Sequence, residues 1–340
     1  MTPLRGAVVG CGFFAQFHLD AWRRIDGVQI VAACDPDLER ARAAATRAYR
    51  TWDEMLAVES LDFVDIVTRP DTHLAFVEMA AAAKLPIICQ KPMAPSLADA
   101  RRMTAIAAQA NVPLMIHENW RWQPWYRLLR ERIAAGDIGQ PVTYRFRIRR
   151  RDGHGHAPYS AQPYFREMPR LLIYETLVHP LDTARFLFGE LHAVTALTRR
   201  LNPVIAGEDF AQLLTLHHSG LGGIVDGNRF LDLAASSPPL GDAEVEGDAG
   251  ILSVNAAGDL LRNGKLLWRN TVHHGYRGDS VRATQQHFVD CLRRGAPFET
   301  SAHDYLNTFA AVEAAYESAA TGKTLAIPTL EDTPQIILGA

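Results

Sequence analysis

Cysteine is scarce in this sequence, and its spacing excludes the usual uses of a cysteine-rich chain. The 340 residues include four cysteines, and no two of them form a CxxC pair. Three lie in or beside apolar runs, where a thiol acts as a small hydrophobic group. We therefore expect free thiols in a reduced, cytoplasmic protein rather than a disulfide framework.

Long apolar runs and an excess of one charge are also missing. No apolar run approaches the ~20 residues that span a bilayer, and the N-terminus predicts no secretion signal. The formal net charge is −3, with 21% charged residues, so we expect neither a nucleic-acid partner nor a membrane partner. The chain is long enough for more than one domain, since 340 residues suffice for two domains with full hydrophobic cores.

The first 35 residues contain a strand–turn–helix–strand pattern. A short apolar run at 7–9 leads into a glycine turn at 10–15, and an amphipathic segment follows at 17–25. A second apolar run at 28–34 ends in an acid, Asp35. This order and spacing predict a dinucleotide-binding fold.

Each residue type in the turn has a physical reason. Gly10 allows a sharp turn out of the strand, and Gly12 lets the backbone approach a pyrophosphate closely. Ala15 is small where the helix packs tightly on the strand, and the helix start presents free N–H groups to the phosphates. Asp35 can accept hydrogen bonds from both ribose hydroxyls and would repel a 2′-phosphate, so we expect NAD rather than NADP.

Strands and helices continue to alternate as far as residue 119. The predicted strands are 61–68, 85–89 and 113–117, the predicted helices are 38–49, 74–83 and 97–110, and a turn is predicted at 69–73. This alternation predicts an α/β fold with a Rossmann, doubly wound parallel sheet. Ligands of such sheets sit at the carboxyl ends of the strands. Six polar positions lie at those ends: Asp35, Thr68, Gln90, Lys91, Glu118 and Asn119.

The pattern changes after residue 119 and becomes rich in strands. A helix is predicted over 124–135, followed by strands at 142–150, 192–199, 210–217, 222–228, 243–247, 251–255 and 260–268 and helices at 175–188, 281–294 and 304–321. We expect a C-terminal α+β domain whose open, largely antiparallel sheet has helices on one face. The predicted division is an NAD-binding domain at 1–120 and a substrate-binding and oligomerisation domain at 121–340.

Two short stretches could carry chemistry. In the first, Lys91 stands at a strand end and Pro92 fixes the backbone, so the ammonium could point into the cofactor cleft; the alternative is a surface lysine. In the second, Glu175 and His179 are four residues apart and would share a helix face. Since Pro180 belongs in a first turn, the helix should begin near His179; the alternative is a helix-start histidine with ordinary neighbours.

With these stretches the chain resembles the glucose–fructose oxidoreductase and inositol dehydrogenase family (Gfo/Idh/MocA). The family's EKP appears as residues 90–92, T-P-x-x-x-H as 68–73 with one extra residue, and D-x-G-x-H-x-x-D as 175–182. Three positions depart from the pattern: Gln90 replaces Glu, Glu175 replaces Asp, and Leu177 replaces Gly. The run at 117–122 resembles a sugar dehydrogenase branch of the family, that acting on apiose.

The resemblance implies catalytic roles for Lys91, Glu175 and His179. The expected cofactor contacts are Gly10, Gly12, Phe13, Phe14, Asp35, Thr68, Pro70, His73, Gln90, Lys91 and Asn119, and the expected substrate contacts are Lys91, Arg121, Glu175 and His179. No metal is expected, because the two histidines at 154 and 156 lack a nearby third ligand.

These residues predict an NAD-dependent dehydrogenase of a sugar or polyol. An aldose oxidised at its anomeric carbon would give a lactone, with His179 accepting the hydroxyl proton and Lys91 hydrogen-bonded to the reacting oxygen. Two alternatives stay open: an NAD-dependent glycoside hydrolase that oxidises its substrate transiently, and a non-catalytic NAD-binding regulator. We also expect a homodimer or homotetramer assembled through the open sheet.

Overall fold

The computed structural model describes residues 2–231 and 241–328, and these fold as two compact units. The first unit contains residues 2–119 and 274–306, and the second contains the described residues of 120–273 and 307–328. In this described part of the chain, no helix combines the length and the apolar character that crossing a bilayer requires.

The first unit is built on a six-stranded parallel sheet. Its strands are β1 (Leu4–Val9), β2 (Val28–Cys34), β3 (Arg47–Tyr49), β4 (Phe63–Ile66), β5 (Ile87–Gln90) and β6 (Leu114–His117), in the order β3-β2-β1-β4-β5-β6. The helices that follow them are α1 (Ala15–Trp22), α2 (Leu38–Ala44), α3 (Trp52–Leu56), α4 (Pro70–Ala82) and α5 (Leu97–Gln109). The strand order reverses beside β1, and right-handed crossovers then place helices on both faces. The predicted Rossmann fold is confirmed.

Two predicted elements of this unit are wrong. The helix predicted over 38–49 stops at Ala44, because Ala45 adopts an extended backbone and Arg47–Tyr49 pairs with β2 as an edge strand. The turn predicted at 69–73 is instead the first turn of α4, which begins at Pro70. Proline suits that position, since its fixed φ is helical and its missing N–H is not needed there.

A segment from the C-terminal half completes the core of the first unit. Helix α8 (Ser280–Arg294) is amphipathic, and its buried residues Phe288 and Val289 share a hydrophobic cluster with Val8, Trp22 and other residues of β1 and α1. Residues 274–306 therefore pack with the Rossmann sheet, although the predicted division assigns them to the C-terminal domain. The apolar stripe of α8 shows that this helix must pack against another element, but it does not indicate which sheet that is.

The second unit is built on a nine-stranded mixed sheet. Its strands are β7 (Pro141–Arg149), β8 (Leu191–Arg199), β9 (Phe210–His217), β10 (Gly222–Asn228), β11 (Asp242–Gly247), β12 (Gly250–Val254), β13 (Leu260–Arg262), β14 (Lys265–Trp268) and β15 (Leu325–Ala326). The order is β14-β13-β12-β11-β7-β10-β9-β8-β15, and β7 and β10 form the parallel pair. The prediction of a largely antiparallel sheet is confirmed.

Three helices accompany this sheet: α6 (Pro124–Ala134), α7 (Val178–Phe188) and the part of α9 (Ala302–Thr321) beyond residue 306. Tyr144, Phe146 and Ile148 of β7 are buried on one face of the sheet, as their alternation predicts. The single strand predicted over 260–268 is a hairpin. Asn263 and Gly264 both have positive φ, which is the two-residue turn that Asn-Gly favours.

Candidate active site

The glycine turn after β1 has the shape that a pyrophosphate requires. Gly10 has φ +89°, and a Cβ there would lie 2.7 Å from Thr68 Cγ2, so only glycine fits. A Cβ on Gly12 would meet no atom within 4 Å, so the space above this residue is open. Helix α1 then begins at Ala15, and its first N–H groups point toward this turn. The turn therefore fits a dinucleotide.

Asp35 follows β2 and is held beside the same turn. Its Oδ2 accepts a hydrogen bond from the Cys11 N–H at 2.8 Å, and its Oδ1 accepts one from the Asp37 N–H at 2.8 Å. Each carboxylate oxygen has more than one acceptor site, so ribose hydroxyls can still bind. Burial, followed by the charge of Asp35, raises the pKa of Cys11 to about 12, so this thiol is neutral at physiological pH.

His73 links the polar strand ends near α4. The side chain is fully buried, with Nδ1 3.1 Å from the Met93 carbonyl and Nε2 3.1 Å from the Thr68 carbonyl. Burial lowers the pKa of His73, and a neutral imidazole can donate to one of these two carbonyls. This geometry ties α4 to the chain on either side of it. The contacts of Pro70 and His73 with the cofactor stay predictions.

A buried chain of hydrogen bonds ends at the backbone of Lys91. Gln90 Oε1 accepts from the Lys91 N–H at 2.6 Å, and this orients the Gln90 amide so that its NH2 faces His18 Nε2 at 2.9 Å. His18 must therefore accept at Nε2 and donate from Nδ1, which lies 2.8 Å from Asp65 Oδ2. The same oxygen accepts from Trp22 Nε1 at 2.7 Å.

Two predicted cofactor residues are thus held by other residues of the first unit. Both ends of the Gln90 amide are used by Lys91 and His18. The amide of Asn119 donates to Ser280 Oγ at 2.9 Å, where Ser280 is the first residue of α8. These bonds fix the carboxyl ends of β5 and β6, and direct contact of either side chain with the cofactor stays a prediction.

In the second unit, a single helical segment carries the predicted acid and the predicted base. A π-helical stretch, Leu172–Leu177, runs directly into α7, so Glu175 and His179 lie on continuous helical backbone. The α-helix begins at Val178, as the position of Pro180 predicts, but the wider π turn before it was not foreseen. Such turns occur frequently at functional sites.

The ring of His179 is fixed by its neighbours. It stacks on the Trp120 indole with ring centroids 4.8 Å apart and planes only 6° from parallel. Asp182 binds the buried Arg121 guanidinium through two hydrogen bonds of 2.7 Å and also accepts from Thr308 Oγ1 at 3.0 Å. This ion pair pins the turn containing Trp120 to α7. Contact of Arg121 with a substrate stays a prediction.

Leu177 stands where the family pattern has glycine. A glycine on a neighbouring strand leaves space for its side chain. Leu177 is fully buried, and a Cβ added to Gly227 of β10 would lie 2.6 Å from its Cδ2. Gly227 therefore supplies the room that the leucine side chain occupies. The two positions are 50 residues apart in the sequence, and no local motif connects them.

One charged neighbour of the candidate acid has no signal in the sequence. Arg229 follows β10, and its Nη1 donates to Glu175 Oε2 at 3.3 Å. The sequence predicts a strand ending at residue 228 but contains no signal that this arginine turns toward the acid. No group of three His, Cys, Asp or Glu side chains suited to a metal ion occurs within residues 2–231 and 241–328.

Two family models match the chain and together cover more than half of it. The model described as an oxidoreductase family with an NAD-binding Rossmann fold matches residues 4–118. The model described as the GFO/IDH/MocA C-terminal domain matches residues 126–253.

Similar proteins extend the match to almost the full length. A D-apiose dehydrogenase of Paraburkholderia graminis is 42% identical over 96% of this chain and 90% of its own. A second one, from Rhizobium rhizogenes, is 40% identical over 96% of this chain and 98% of its own. The crystal structure of an oxidoreductase from Agrobacterium radiobacter, in complex with NAD+, L-tartaric acid and magnesium, is 39% identical, with a TM-score of 0.88 over 96% of this chain and 99% of its own. This chain belongs to the Gfo/Idh/MocA family and is an NAD-dependent oxidoreductase.

Proposed function

We propose that this protein oxidises an aldose at its anomeric carbon, with D-apiose as the first candidate. The observation that carries the proposal is the identity of 42% and 40% to two D-apiose dehydrogenases over nearly the whole chain. The matching N-terminal family model describes an oxidoreductase family, and these relatives are dehydrogenases. The two alternatives, a glycoside hydrolase and a non-catalytic regulator, therefore have no support. Oxidation of a cyclic aldose at the anomeric carbon yields a lactone.

In this reaction the first unit binds NAD and the second binds the sugar. Bound NAD would supply the acceptor for the hydride. His179 accepts the proton of the reacting hydroxyl, and its stacking on Trp120 keeps the imidazole plane fixed during the transfer. Lys91 donates a hydrogen bond to the same oxygen as negative charge develops there. The Lys91 N–H donates a hydrogen bond to Gln90 Oε1, and this bond holds the lysine backbone for this task.

We further propose that the chain assembles as a homodimer or homotetramer through the open face of the second unit's sheet. Leu197, Leu214 and Ile224 point to this face from three adjacent strands and are 55%, 58% and 38% exposed. On β7, Arg147 and Arg149 are paired with Asp242 and Asp226, respectively. An apolar patch with neutralised charges beside it suits a second copy of the same face. Free cysteines at all four positions support a cytoplasmic location.

Purified protein with NAD, assayed against D-apiose and a panel of aldoses and polyols, tests the activity. We expect NADH to accumulate in proportion to the sugar consumed, and a lactone to be the first product. No NADH with any of these sugars would exclude the proposal. Light scattering tests the assembly, and a 37.6 kDa monomer alone at micromolar concentration would contradict it.

A further inference from the structure

Arg229 is a buried cation in the second unit that none of the proposed steps uses. The residue is 3% exposed, and its guanidinium lies 4.7 Å from the centroid of the Tyr159 ring and 5.0 Å from that of Phe165. Its own N–H donates to the Asp209 carbonyl, and its carbonyl accepts from the Gly153 N–H, both at 2.9 Å. The side chain is therefore fixed from the backbone outward.

Two carboxylates share the charge of this guanidinium. Asp152 accepts from Arg229 Nε at 3.0 Å and from Nη2, but it also pairs with Arg150 Nε at 2.9 Å. Asp152 carries one negative charge and pairs with two guanidinium groups, so one positive charge is not neutralised by it. The carboxylate of Glu175 neutralises this second charge. Burial alone lowers the pKa of Arg229, but the hydrogen bond and charge of Asp152 and the charge of Glu175 raise it above its ordinary value. Arg229 therefore remains a cation.

The contacts of Glu175 define how its carboxylate is held. Oε2 accepts from Arg229 Nη1 at 3.3 Å and from Thr176 Oγ1 at 3.0 Å, and the Thr176 hydroxyl is itself 3.3 Å from Arg229 Nη1. A glutamate has one more rotatable bond than the aspartate of the family pattern, so it needs such an anchor to keep one orientation. The Glu175 side chain retains 16% exposure, so ligands can still reach it.

We propose that Arg229 is a positioning residue that keeps Glu175 ionised and oriented, so that Glu175 accepts a hydrogen bond from a second hydroxyl of the sugar. An ionised carboxylate only accepts hydrogen bonds, so it suits a neutral polyhydroxylated substrate and repels a sugar acid. The site would thus select substrates with a hydroxyl beside the reacting carbon. This inference rests on the proposed function and adds the substrate feature that is recognised.

The test compares Arg229→Met, Arg229→Lys, Glu175→Gln and the double variant Arg229→Met/Glu175→Gln. We expect Arg229→Met to lower kcat/KM for the sugar by about 10- to 100-fold, mostly through KM, because a charge-assisted anchor is lost. Arg229→Lys should recover part of this loss. The double variant should be no worse than Glu175→Gln alone, because both changes break one interaction.

Binding measurements separate this role from a general loss of structure. Calorimetry on the enzyme–NADH complex should show weaker sugar affinity in Arg229→Met, while NAD affinity stays within about twofold of wild type. Arg24→Met is the matched control: Arg24 donates to Asp279 through two hydrogen bonds of 2.7 Å in the first unit, so this change breaks a guanidinium–carboxylate pair that does not involve Glu175. Its kinetics should equal those of the wild type.

The preference for a hydroxyl beside the reacting carbon gives a second measurement. Wild type should discriminate between the sugar and the deoxy analogue that lacks this hydroxyl, and Arg229→Met should lose most of that discrimination. If Arg229→Met does not fold, Thr176→Val removes the bridging hydroxyl and should reduce the same discrimination by about three- to tenfold.

Failure of this inference can be told apart from failure of the proposed function. Suppose that the wild type oxidises the sugar, and that Arg229→Met and Thr176→Val leave both the KM for the sugar and the discrimination against the deoxy analogue unchanged. This result would overturn the role of Arg229 but not the proposed function. Losses that multiply in the double variant would overturn it as well, because the two residues would then act independently. Absence of sugar oxidation by the wild type would overturn both.

Discussion

The glycine turn of the first unit and the acid–base helix of the second show two ways of building a site. The turn from Gly10 to Ala15 is continuous in sequence, and its residue types follow from backbone geometry, with Thr68 as the distant residue that an added Cβ on Gly10 would meet. The helix carrying Glu175 and His179 is held by residues far away in the chain. Arg229 binds Glu175, and Arg121 binds Asp182 on the same helix. A motif therefore indicates the local geometry of the first kind of site, whereas for the second it names residues without the contacts that orient them.

The largest expected effects come from the two groups that we propose to act on the reacting hydroxyl. His179→Ala should lower kcat by roughly 10²–10⁴-fold, the usual contribution of a positioned proton acceptor. Lys91→Met should also collapse turnover, because the developing charge loses its hydrogen-bond donor, while NAD affinity by calorimetry is retained. The double variant should be little worse than the poorer single variant. Activity of Lys91→Met within about threefold of wild type would make Lys91 a structural residue.

The two glycines of the turn should fail in opposite ways. Gly12→Ala adds a methyl group in open space, so the protein should fold with an unchanged Tm but bind NAD roughly 10- to 100-fold more weakly. Gly10→Ala forces a side chain onto Thr68 at a positive φ and should cost at least about 1–3 kcal/mol of folding free energy. Thermal unfolding and calorimetry separate the two, and the reverse pattern would disprove the assignment of the pyrophosphate to Gly12.

Cofactor choice should depend on one acid of the same unit. Wild type should prefer NAD, and Asp35→Ser with Pro36→Arg should shift the ratio of kcat/KM for NADP and NAD by about 10- to 100-fold, since repulsion of a 2′-phosphate becomes attraction. Pro36→Arg alone is the control that keeps the carboxylate. Equal kcat/KM for both cofactors in the wild type would refute the role of Asp35.

The smallest expected effect concerns the long-range fit of the second unit. Gly227→Ala should destabilise the fold by about 1–3 kcal/mol, because its methyl group would press on Leu177. Leu177→Ala combined with Gly227→Ala should cost less than the sum of the two changes. Gly222→Ala, on the same strand, is the control, since its Cβ would meet only the Thr215 carbonyl oxygen at 3.9 Å. Chemical denaturation measures the wild type and the four variants, Leu177→Ala alone included, and full additivity would show that the two positions do not share space.

Most of the regular structure could be predicted from the sequence, because its signals are local. The alternation of Tyr144, Phe146 and Ile148 gives a strand and its buried face directly. The edge strand Arg47–Tyr49 could not be predicted, because three residues of average composition become a strand only when β2 offers hydrogen bonds. Likewise, the amphipathic pattern of α8 contains no information on which sheet it will cover.

The candidate site was predictable to a similar degree. The turn, Asp35, Lys91, Glu175 and His179 could be named from their motifs. The contacts that orient them could not be, because hydrogen bonding between distant residues leaves no periodic pattern. The stacking of Trp120 on His179 illustrates this, since nothing in the sequence indicates that this indole packs on an imidazole 59 residues further along the chain.

Because of Gln90, the buried chain of hydrogen bonds behind Lys91 cannot relay a proton. Its amide passes orientation from the His18–Asp65 pair to the Lys91 backbone, yet an amide neither takes up nor releases a proton near neutral pH. A glutamate at this position, as in the family's EKP motif, would allow a proton to be shared with His18. With glutamine, this chain orients the Lys91 backbone without relaying a proton between that backbone and the His18–Asp65 pair.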